Sequence, residues 1–107
     1  LRAAEMPSSN GIGTARALAR FYAALLGEVD GVRLLRPETV AAACEERSEG
    51  ADALLRLPTR FGTGFMLPPS LSLAARPSSF GHPGAGGSLA LADRDAGFSF
   101  AYVMNQM

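Results

Sequence analysis

The chain has no lysine: all ten of its basic residues are arginine, set against ten acidic residues in 107 positions, for a formal net charge of zero. That absence excludes a Walker A phosphate loop and a serine–lysine catalytic dyad from this segment. The charge balance leaves no electrostatic footprint for nucleic acid or an anionic membrane. A single cysteine, Cys44, rules out an intrachain disulfide framework and a cysteine-based zinc site, and a single histidine, His82, argues equally against a histidine-rich metal site. No apolar run approaches the ~20 residues of a membrane span. The first residues, Leu1-Arg2-Ala3-Ala4-Glu5, carry no secretory apolar region and do not begin with methionine, so the sequence reads as an internal piece of a longer protein and specifies no compartment. The length allows one small domain or part of a larger one.

What is present falls into two textures. Pro7-Ser8-Ser9-Asn10-Gly11-Ile12-Gly13 is rich in turn formers and reads as a loop. Thr14 is a candidate N-cap for a helix over 15–26, in which Ala15, Leu18, Ala19, Tyr22, Leu25 and Leu26 share a face and which Gly27 ends. Arg16 and Arg20 lie on its solvated side. A turn at Asp30-Gly31 leads to Pro37, suited to the first turn of a second helix over about 37–46, with Val40, Ala41 and Cys44 inward. Cys44 reads as a core filler. Glu45, Glu46 and Glu49 are unfavourable at a helix C-terminus, so a solvated loop is expected there.

From residue 61 the pattern turns to strands. Phe61, Phe65, Met66 and Leu67, punctuated by Gly62 and Gly64, predict a short strand stopped by Pro68-Pro69. A loop over 70–77 precedes a strand running into Phe80-Gly81-His82-Pro83-Gly84-Ala85-Gly86-Gly87-Ser88, which holds one histidine and four glycines in nine residues. A second strand at about 88–92, a turn at Asp93-Arg94-Asp95-Ala96-Gly97 and a third strand at about 98–105 follow. That last run is apolar on both alternating faces apart from Ser99, the pattern of a central strand covered on both sides. Helices followed by strands joined through tight turns indicate an α/β chain of the α+β type, an antiparallel sheet flanked by helices.

Glycine lets a backbone take positive φ or approach another group closely, so the segment around His82 is the candidate site. Gly81-x-x-x-x-Gly86-Gly87-Ser88 nearly fits a phosphate loop, but Gly87 stands where its lysine belongs, and Leu89-Ala90-Leu91-Ala92-Asp93 is too short for the helix the motif requires.

The order of elements, with "ARALARFYAAL", "LLRPETV", "RFGTGFML" and "FGHPGAGGSLALADRDAGFSFAYVMNQM", resembles the C-terminal part of the serine β-lactamase and penicillin-binding-protein superfamily, on its class C and family VIII carboxylesterase side. The resemblance covers nearly the whole chain, which would then be, over residues 1–107, the C-terminal portion of a single β-lactamase/transpeptidase-like domain. In that superfamily a strand lining the active site carries a K-T-G or H-T-G triplet, and His82-Pro83-Gly84 lies in its place. The S-x-x-K nucleophile motif and the tyrosine- or serine-containing motif would lie upstream; Tyr22 and Tyr102 match neither.

The resemblance assigns one oxyanion-holding N–H to Ala85, just after the triplet, with Gly84 and Gly86 letting an acyl group approach and Pro83 also facing substrate. His82 would polarise a substrate or a tyrosinate. Pro83 replaces the hydroxyl residue that binds the carboxylate of penicillins, which favours ester or uncharged acyl substrates. Ser88 has no base or elbow beside it and reads as a turn or strand residue. The implied activity is hydrolysis of a small ester or amide through an acyl-enzyme, without a cofactor. Two alternatives stand beside it: a non-catalytic homologue that binds a peptide or acyl ligand, and an unrelated small binding module.

Overall fold

A computed structural model describes Met6, Ser8, Ser9 and residues 11–106. The expectation of a loop at Pro7 and Asn10 lies outside these residues; Gly11 to Thr14 are irregular. Helix α1 (Ala15–Leu26) begins where Thr14 predicts, its hydroxyl accepting from the Ala17 N–H. Tyr22, Ala24 and Leu25 are its buried residues. Gly27 ends the helix in an extended conformation, and Arg33 finishes it by donating from Nη2 to the Leu26 carbonyl at 3.0 Å. Arg20, on the outer side, pairs with Asp30.

Helix α2 (Pro37–Ala43) starts on Pro37 and stops earlier than the spacing predicts. The cause is the turn after Phe61: the Thr63 N–H bonds to the Ala43 carbonyl at 2.8 Å, and a Cβ on Gly62 would collide with that same oxygen. Val40 is buried and Cys44 half-buried, but Ala41 faces out. The acidic stretch beyond is also a correction. Instead of a loop throughout, Ser48–Ala51 forms strand β1, paired antiparallel with β2 (Pro58–Phe61). Ser-Glu-Gly-Ala has no strand propensity; the pairing and the Asp52 turn impose it. Asp52 Oδ1 accepts from the Leu54 and Leu55 N–H groups, both at 2.8 Å.

The strand expected over 61–67 is broken. Gly62 and Gly64 turn the chain, Gly64 at φ +83°, and Met66 returns as a one-residue bridge with Phe61 on one side and Gly81 on the other. Met66 thereby ties the β1–β2 ladder to the three-stranded antiparallel sheet β3 (Ser79–Pro83), β4 (Leu89–Asp93), β5 (Phe98–Tyr102), in that order.

One face of this sheet packs under α1. Phe80, Ala90 and Ala92 join Tyr22, Leu25, Val40 and Leu67 in the main core, and Ala101 lies against it. The small residues at 90, 92, 99 and 101 bring the helix close enough for Ser99 Oγ to donate to the Ala19 carbonyl at 2.8 Å. On the other face Leu91 joins Met66 and Leu71 in a smaller cluster. β5 corrects the sequence reading: it is the outer strand of the three, covered by α1 on one face and open at Phe98, Phe100 and Tyr102 on the other. Among the described residues no helix is long and apolar enough to cross a membrane.

Candidate active-site strand

The glycine segment forms β3 and the tight turn into β4, with no helix after Gly87. Gly81 fixes how closely the strands lie: an added Cβ would stand 2.7 Å from Leu91 Cα and collide with the Ala90 carbonyl. On its other edge Gly81 exchanges both backbone bonds with Met66, at 2.8 and 3.2 Å, which closes the ladder on that side. Beyond Gly81 the edge has no strand beside it among the described residues. Pro83 has no N–H to offer there, and its carbonyl lies 2.6 Å from His82 Nδ1. A carbonyl only accepts, so Nδ1 carries the proton and Nε2 is left as the acceptor of the neutral ring.

At the strand end the Gly84 N–H donates to the Ser88 carbonyl at 2.6 Å, and the Gly87 N–H donates to the Gly84 carbonyl at 3.0 Å. These bonds make Ala85 and Gly86 the two central residues of a turn, with Gly87 at φ +102°. The Ala85 N–H has no hydrogen-bond partner among the described residues. Ala85 and Gly84 are exposed, Pro83 and Gly86 half-buried, and His82 exposed. An added Cβ at Gly84 would strike Ser88 Oγ, which places Ser88 against the turn as part of its framework. His82 makes no hydrogen bond to any serine hydroxyl among the described residues.

The structure adds one neighbour that sequence reasoning missed. The Phe61 ring stands beside the His82 imidazole, centroids 6.0 Å apart and planes tilted by 35°. The two residues are 21 positions apart, and the Met66 bridge, which no periodicity signals, stands between β2 and β3 and links them.

The far end of β4 holds a different polar centre. Asp93 is fully buried and accepts from Ser78 Oγ (2.9 Å), Ser79 Oγ (2.8 Å) and the N–H groups of Asp95 (3.1 Å) and Ala96 (2.7 Å). Burial pushes its pKa up, but the bonds from Ala96, Ser79 and Ser78 and the nearby Arg76 charge outweigh it, leaving the carboxyl below its ordinary value. This group organises the β4–β5 turn. A groove of about 580 Å³, lined by Glu49, Thr59, Arg60, Ser70 and Leu73 among others, does not include residues 82–86.

A sequence model of the Beta-lactamase family matches residues 1–107. The chain belongs to that family. This beta-lactamase-family chain is 39% identical over 107 residues to esterase/beta-lactamase LipL of Mycobacterium tuberculosis, an alignment covering 97% of the chain and 24% of LipL. Its fold matches the crystal structure of a family VIII carboxylesterase with a TM-score of 0.90 and 36% identity, over 99% of this chain and 29% of that one. It also matches a penicillin-binding-protein homolog from Caulobacter crescentus, with a TM-score of 0.77 and 44% identity over 86% of this chain and 26% of the other. The chain thus spans about a quarter of the length of these relatives. The antiparallel sheet packed under α1, with α2 against that helix, has the beta-lactamase and penicillin-binding-protein fold expected from the sequence, and the family is one of hydrolases acting on small molecules.

Proposed function

We propose that residues 1–107 are the C-terminal portion of a single serine β-lactamase-like domain that hydrolyses small esters or amides through an acyl-enzyme, and that this segment supplies the oxyanion strand. The observation that carries the reading is the Ala85 N–H, unpartnered at an exposed turn beside two glycines, at the end of a strand edge left free beyond Gly81. In the reaction an upstream serine hydroxyl attacks the acyl carbonyl. The oxygen that becomes negative accepts from the serine's own N–H and from that of Ala85. Collapse expels the alcohol or amine, and water then releases the acyl group. Because such a donor is aimed in advance, it stabilises developing charge without reorganising, a contribution of ~3 kcal/mol. His82 presents Nε2 to a hydroxyl, of the substrate or of a base motif, as an acceptor. Gly84 and Gly86 keep the approach free of side chains, and Pro83 borders it without a hydroxyl.

That last feature supports a reading of the substrate class. A penicillin carboxylate finds no hydroxyl at Pro83, whereas an uncharged ester needs none. The full-length protein is therefore expected to hydrolyse a p-nitrophenyl acyl ester with a higher kcat/KM than a penicillin, and to show a mass increase of one acyl group on an upstream serine. A higher kcat/KM for the penicillin overturns the substrate reading. A full-length sequence without S-x-x-K, together with no turnover of either substrate, overturns the catalytic one.

A further inference from the structure

We infer that Phe61 is a positioning residue for His82: its ring and the Pro83 carbonyl together hold the imidazole as the Nδ1–H tautomer, with Nε2 turned outward as a hydrogen-bond acceptor. The functional consequence rests on the proposed role of His82; the tautomer does not. Three observations converge on it.

The first is the bond from His82 Nδ1 to the Pro83 carbonyl at 2.6 Å, which requires the proton on Nδ1. That carbonyl is available because Pro83 sits two residues past Gly81, where the Met66 bridge has ended. The second is the aromatic contact. Centroids 6.0 Å apart fall within the range at which aromatic rings attract, with the planes tilted by 35°. The third is the rigidity of Phe61 itself. Its carbonyl accepts from the Arg47 N–H at 2.8 Å, it bridges Met66, and its side chain packs on the cluster of Met66, Leu71 and Leu91. A ring held this way restricts the imidazole of an otherwise exposed residue. A free histidine prefers the opposite tautomer, with the proton on Nε2, so the hydrogen bond to Pro83 reverses which nitrogen carries the proton. An outward Nε2 can accept a proton or hydrogen bond from a hydroxyl; an outward Nε2–H can only donate.

The test uses the full-length protein with 15N-labelled histidine, the His82 signals being assigned by their loss in His82→Gln. The neutral wild-type ring is expected to show a protonated Nδ1 and an unprotonated Nε2. Phe61→Leu, which keeps apolar volume but removes the ring, is expected to move the populations toward Nε2–H; Phe61→Tyr restores the wild-type pattern. In parallel, Phe61→Leu should lower kcat for ester hydrolysis roughly fivefold with KM little changed, the size of one aromatic pair expressed as a rate. A wild-type His82 protonated on Nε2, or a Phe61→Leu spectrum identical to wild type, overturns the inference. If the spectra behave as expected while His82→Gln keeps full activity, the positioning stands and the catalytic role of His82 falls.

Discussion

At the scale of single residues, a backbone N–H can be removed without removing its residue. Ala85 is the second residue of the turn from Gly84 to Gly87, the position at which proline is most readily accepted in common turns. Gly84 before it tolerates the restriction proline places on its predecessor. Ala85→Pro in the full-length protein should thus leave the hairpin intact while deleting the proposed donor. The expected outcome is a fall in kcat of about 10²-fold or more with the denaturation midpoint nearly unchanged, read by ester kinetics and urea unfolding. Asp93 is the opposite case, a side chain whose work is structural. Asp93→Asn puts an amide where four donors converge, and the full-length protein should lose about 2 kcal/mol. Its folded pKa lies below the unfolded value of ~3.9, so the stabilisation is complete above that pH and disappears as pH falls through the folded pKa. The difference between wild type and Asp93→Asn should accordingly shrink on acidification, measured by urea midpoints across that range.

At the scale of elements, Gly81 decides whether β3 and β4 can lie together and still meet Met66. Gly81→Ala would press a Cβ against the Ala90 carbonyl and Leu91 Cα, both backbone atoms that cannot turn aside, and should cost ~1–3 kcal/mol with activity falling alongside. Thermal melting with a parallel ester assay checks it. The same element shows what the sequence made legible. The bounds of helix α1 were readable because its cap, its periodic face and its terminating glycine are all local signals, though the buried Ala24 was not on the predicted face. The β3–β4–β5 hairpins were readable because glycine and Asp93 mark turns between apolar runs. β1 was not: four exposed residues with no alternation become a strand only because β2 and the Asp52 turn hold them. The end of α2 depends on Gly62 and Thr63, twenty residues on, and the contact between Phe61 and His82 depends on Met66. The candidate site divides the same way. The run from His82 to Gly86 is contiguous and so visible, whereas the tautomer of His82 and its aromatic neighbour are products of tertiary contact.

At the scale of the whole molecule, the open face of β5 is the decisive feature. Phe98, Phe100 and Tyr102 alternate on one side of the strand and keep 45%, 47% and 52% of their surface exposed. Leu54, Leu55 and Leu57 stand out at the tip of the β1–β2 hairpin, whose Asp52 bonds fix its shape. The radius of gyration is 14.0 Å, close to the ~13 Å of a complete domain this size. These apolar surfaces therefore belong to a folded chain and are not the result of fraying. Contiguous apolar faces and, among the described residues, an edge strand with no outer partner are what aggregating proteins present, and in the longer parent proposed above further chain would cover them. Residues 1–107 produced alone should sediment as aggregates or melt over a broad range, without ester hydrolysis, since the proposed mechanism places its nucleophile outside these residues. A monomeric species with a sharp melting transition would show that the segment folds as a unit of its own. Ester hydrolysis that survives Ser88→Ala would place the chemistry within these residues and refute the division of labour proposed for the parent.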